Sequence, residues 1–133
     1  MILTTKQILE AHEGLLSICN ESVKLPAQVA WNLYADIDAM ETIVSRFDSQ
    51  QEKLLSPLQQ KEAFFKAEDG SWMCKSEFAE EYKNVVAKIE DYLKIENEIT
   101  IVKIPLSEFS IPMSLAEMRV LNFMFTQDND NEE

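Results

Sequence analysis

Residues 26–56 read PAQVAWNLYADIDAMETIVSRFDSQQEKLLS, and this stretch decides the fold. Proline is favoured at a first helical position, where its missing N–H costs nothing. Behind it, Ala30, Leu33, Ile37, Met40, Val44 and Phe47, then Gln51, Leu54 and Leu58, step by three and four. That is a heptad seam with one polar lapse at Gln51. No glycine interrupts it, and the first interior proline is Pro57, which predicts an end or kink near Ser56 because a residue before proline is pushed out of the α region. At ~1.5 Å per residue such a helix is roughly 46 Å long and needs a partner along its seam.

A partner stands downstream. Phe78, Tyr82, Val85, Ile89, Tyr92 and Glu96 repeat the same steps, which predicts a helix over about 77–95 lying antiparallel to the long one. Ile37, Met40, Val44 and Phe47 are then expected to face Tyr82, Val85 and Ile89. Between the two helices, Asp69-Gly70 marks a turn, with Phe64 and Phe65 before it and Trp72 and Met73 after it, as in a short hairpin or packed loop. Thr4 or Thr5 caps a first helix to about Asn20, with Ile8, His12, Leu15 and Cys19 on one stripe and Leu9 and Leu16 beside it. Residues 99–104, ITIVKI, read as the convincing strand, to be paired with Met1-Ile2-Leu3, the Trp72 segment or a second copy. Ser114-Leu-Ala-Glu117 is a capping box opening a last helix, with Leu115, Met118, Leu121 and Phe125 inward. The expected fold is mainly α with a minor β part: a long antiparallel helical hairpin packed with an N-terminal and a C-terminal helix and one or two short strands. Residues 1–127 are expected to form one domain, and the acidic tail 128–133 to be disordered.

Charge narrows the function. Lys and Arg number 12 against 24 Asp and Glu, a net charge of −12 over 133 residues. Nucleic-acid binders and anionic-membrane binders rely on clustered cations, so neither partner is expected. Gly 2 and Pro 4 argue against glycine-rich phosphate loops and turn-dense β-sandwiches. The N-terminus carries no basic, apolar leader, which points to a cytoplasmic location. Cys19 and Cys74 belong to no CxxC motif and read as free core thiols.

Catalytic constellations do not assemble. His12, the single histidine, reads as a packed helix residue rather than a general base. Asp36, Asp38 and Glu41 could in principle hold an oxygen-ligated cation, but the seam places them on the wet face of the helix. No cofactor, metal or catalytic residue is expected. The aromatics are more informative, because interfaces favour Trp, Tyr and Phe. Trp31 and Tyr34, beside Asp38 and partly off the seam, and Trp72 at the turn are the candidate partner-binding residues, with cover of Trp31 or Tyr34 by the first helix as the alternative.

The order of these features resembles a family of small uncharacterised proteins encoded by tailed phages. The shared order is a capped short helix, Leu25-Pro26-Ala27 leading a heptad helix, Asp69-Gly70, the 99–104 strand before Pro105-Leu106-Ser107-Glu108-Phe109, and a helix ending Leu121-Asn-Phe-Met124. The resemblance implies a phage or prophage origin and expression in bacterial cytoplasm. The expected role is a non-enzymatic accessory protein that binds a host or phage protein. The alternatives are a self-associating assembly protein and an acidic inhibitor occupying a basic nucleic-acid channel.

Overall fold

The Thr4 hydroxyl accepts the Gln7 N–H at 3.1 Å while Gln7 Oε1 accepts the Thr4 N–H at 2.8 Å, so the first helix starts in a capping box. The computed structural model describes residues 1–19 and 23–126, so the expectation for the tail lies outside the described residues. In chain order come β1 (Ile2–Thr4), α1 (Thr5–Ile18), α2 (Ala27–Gln60), β2 (Phe64–Lys66), β3 (Trp72–Cys74) and α3 (Ala79–Leu93). They are followed by β4 (Glu96–Glu98), β5 (Ile104–Pro105), α4 (Leu115–Leu121) and β6 (Phe125–Thr126). Single 3-10 turns cover Ser76–Phe78, Leu106–Glu108 and Asn122–Met124. The fold is mainly α with a minor β part.

The chain gathers into two compact units. One is Met1–Val44 with Glu96–Glu133, the other Ser45–Ile95. α2 contributes residues 27–44 to the first and 45–60 to the second.

The first unit has a core of Leu3, Ile8, Ala11 and Leu15, Val29, Leu33 and Met40 from α2, and Ile99, Ile104, Phe109, Leu121, Met124 and Phe125. β1 pairs antiparallel with β4, Leu3 opposite Asn97, and the Asn97 amide donates to the Thr5 hydroxyl at 3.0 Å. β5 pairs in parallel with β6, Ile104 opposite Phe125. α4 starts at Ser114 in a second capping box with Glu117. Gly14 lets α4 approach α1: a Cβ there would sit 3.1 Å from Val120 Cγ2.

Three expectations need correction here. The α2 seam is rotated: Val29 and Asp36 are buried where Ala30 is exposed, and Ile37, Met40 and Val44 pack in the first unit's core. The strand expected over 99–104 is split, pairing only at its flanks, β4 and β5. Leu115, expected inward, is 88 % exposed, because at the first position of a seven-residue helix it has turned off the face that Met118 and Leu121 share.

In the second unit, Pro57 lies inside α2 rather than ending it. The helix runs one further turn and closes in a Schellman motif. The Ala63 N–H reaches the Leu58 carbonyl at 3.0 Å and the Glu62 N–H the Gln59 carbonyl at 3.1 Å. Leu58 and Ala63 are both buried there, the apolar contact that accompanies this motif. β2 and β3 form the expected hairpin, turning at Gly70, whose φ of 87° suits glycine. Phe64 meets Tyr82 of α3 edge-on with ring centroids 5.5 Å apart, and Lys61 pairs with Glu81 at 3.1 Å.

The adjacent leucines of α1 provide a direct check on the core. Leu15 is 0 % and Leu16 56 % exposed. Chemical denaturation should show Leu15→Ala losing about 2–5 kcal/mol, and Leu16→Ala staying within about 0.5 kcal/mol of the parent.

Candidate protein-binding surfaces

Rotation of α2 toward Val29, Leu33, Asp36 and Met40 leaves the opposite side of its first half in solvent. Trp31 is 74 % and Tyr34 67 % exposed, and Ala35, Asp38, Glu41 and Thr42 follow them on the same exposed side. The Gln28 amide donates to Asn32 Oδ1 at 2.9 Å along the first turn of this face. α1 covers neither ring, so both aromatics are available to a partner. Beside Tyr34 lies a pocket of about 170 Å³, walled by Cys19, Val23 and Leu25 on one side and Ala30, Leu33 and Ile37 of α2 on the other. Its lining is apolar, and burial pushes the Cys19 thiol pKa up.

Trp72, the fourth candidate, belongs to the second unit and forms a separate surface. It is 69 % exposed on β3, and the cross-strand pair Phe65 and Met73 is exposed on the other face of the hairpin. A cleft of about 670 Å³ is lined by Gln59, Glu62, Phe64, Phe65, Trp72 and Lys75. Glu62 holds a left-handed φ of 56° at the helix end, a conformation that costs an L residue about 1 kcal/mol or more.

Two polar residues behave differently from the sequence reading. Asp36, expected on the wet face, is fully buried. Its Oδ1 accepts the Val102 N–H at 2.7 Å, while Oδ2 is buried with no hydrogen-bond partner among the described residues. Burial pushes its carboxyl up to about 6, against the smaller opposing pull of the Val102 N–H. His12 is on the inward side of α1, as expected, and its Nε2 stands 3.6 Å from Glu41 Oε1. Among the described residues, no group of three or more His, Cys, Asp or Glu is placed to hold a metal ion. No helix there is long and apolar enough to cross a membrane.

Sequence reasoning missed Asp36, the pocket beside Tyr34 and the Phe65–Met73 face. The last was open to strand alternation, since residues paired across a hairpin share a face. Comparison of the chain with family models, with curated proteins and with solved structures finds no match in any of the three.

Two outcomes follow from this geometry. Asp36 binds its proton more tightly folded than unfolded, so its contribution to stability is full at acid pH and is lost as pH rises from about 3.8 through about 6. Asp36→Asn should remove that loss. Exposed Asp69 and half-buried Glu117 are held low by Ser71 and Ser114 and act with the opposite sign, but they are common to both proteins. The difference in unfolding free energy between variant and parent, followed from pH 4 to 7, should therefore move in the variant's favour by up to about 1.4 kcal/mol per pH unit. At the other surface, Glu62→Gly should raise the denaturation midpoint, gaining about 1 kcal/mol by removing the strained conformation.

Proposed function

We propose that this chain is a non-enzymatic accessory protein, of the kind tailed phages encode, that works in the host cytoplasm by binding another protein. One observation carries the reading: Trp31 and Tyr34 stand in solvent on one helix face, 74 % and 67 % exposed. Aromatic side chains buried at an interface dominate its energetics, and Trp and Tyr are enriched there. The net charge of −12 adds a long-range preference for a basic partner and against nucleic acid.

The test separates folding from binding. A Trp31→Ala, Tyr34→Ala double variant should keep the parent's helical circular dichroism and melt within about 2 °C of it, since neither ring is in the core. Affinity capture from host lysate at physiological salt should retain a protein with the parent that the variant loses. Identical capture by both proteins overturns the reading at this face. Light scattering should give a monomer; a dimer that the double variant abolishes would assign the face to self-association instead.

A further inference from the structure

We propose that the pocket beside Tyr34 and the acidic turn after it form one docking site for a basic amphipathic segment of the partner, an apolar side chain entering the pocket and a Lys or Arg lying on Asp38 and Glu41. The inference rests on the protein-binding reading above and names its occupant. Volume sets the first requirement. At about 170 Å³ the open pocket has room for one side chain of Leu or Phe size. Leu25, Leu33 and Ile37 offer that side chain only apolar contact, and Tyr34 stands at its edge.

Charge sets the second requirement. No Lys or Arg occurs between Lys24 and Arg46, so Asp38 and Glu41 have no cation on their own stretch of helix. Both are exposed, and they follow Tyr34 by one and two turns along the same side. Among the described residues, the one ion-pair partner in reach of either carboxylate is His12, 3.6 Å from Glu41. A second copy is the wrong occupant, because each chain carries −12. A segment with an apolar residue and a basic residue one turn later satisfies both the pocket and the carboxylates.

The probe is a fourteen-residue Leu/Lys amphipathic helix, with Leu/Gln and Leu/Glu peptides of the same pattern as controls. The protein is the full chain carrying Trp72→Phe, so that fluorescence reports Trp31, and Cys74→Ser, so that alkylation reports Cys19. The Leu/Lys peptide should shift Trp31 emission, bind about tenfold or more tighter than the Leu/Gln peptide, and slow Cys19 alkylation several-fold. Asp38→Asn with Glu41→Gln should erase the advantage over Leu/Gln, and Ala30→Phe, which fills the pocket from its rim, should weaken both peptides. Equal binding of Leu/Lys and Leu/Gln overturns the charge complementarity while leaving an aromatic docking face intact. Binding with unchanged Cys19 alkylation overturns the pocket as the seat. No response of Trp31 to any of the three peptides at millimolar concentration overturns the docking face itself.

Discussion

The hydrogen bond from the Val102 N–H to Asp36, 2.7 Å long, fixes two things at once. It draws a carboxylate into the apolar stripe of α2, and it holds the middle of residues 99–103 without a neighbouring strand. Burying an aspartate costs free energy unless a partner offsets it, and a buried backbone N–H carries the same obligation. Each group meets part of the other's requirement. Because Asp36 is turned inward with Val29, Leu33 and Met40, the Trp31 and Tyr34 side of the same helix is turned outward. The exposed face is thus the geometric counterpart of the buried acid.

α2 serves the two units by different means. In its first half, large side chains fill a shared core. In its second half, burial is sparse, with Leu58 and Ala63 fully enclosed at the Schellman end and much of the hairpin surface open. The second unit relies on local closure: a capped helix end, a short hairpin, one edge-on ring pair and one ion pair. Exposed ion pairs contribute little, so the apolar contacts at Leu58 and Ala63 and the Phe64–Tyr82 pair carry more of its cohesion.

Much of the fold was legible because its signals are local. Thr4 and Ser114 cap helices through side chains three residues away, and Asp69-Gly70 turns a hairpin, so neither needs knowledge of the tertiary structure. Among the candidate residues, Trp31, Tyr34 and Asp38 are together on one exposed face, while Trp72 belongs to another unit. What was illegible depends on distant partners. A periodic reading counts Asp36 as polar and turns it to water, and that rotates the whole seam. The run ITIVKI has the composition of a strand, but the partner for Val102 is a side chain 66 residues earlier. These two errors are one error. Pro57 misled because a proline near a helix end removes one hydrogen bond without stopping the last turn, and the Lys61 N–H still reaches the Pro57 carbonyl at 3.3 Å.

The pairing of β1 with β4 makes the first unit discontinuous in sequence, with residues 45–95 intervening. On a ribosome this imposes an order. At roughly 5–20 residues per second, Ile2 waits on the order of 5–20 s before Glu98 is made. During that interval Val29, Leu33 and Met40 have, from their final core, Leu3 and the α1 residues for cover, and the Val102 N–H that Asp36 accepts has not been synthesised. The contiguous second unit is complete in sequence before the first can close. Emerging chains therefore pass through a stage in which the finished part is the sparsely buried one, and the apolar stripe of α2 is within reach of chaperones or of other nascent chains.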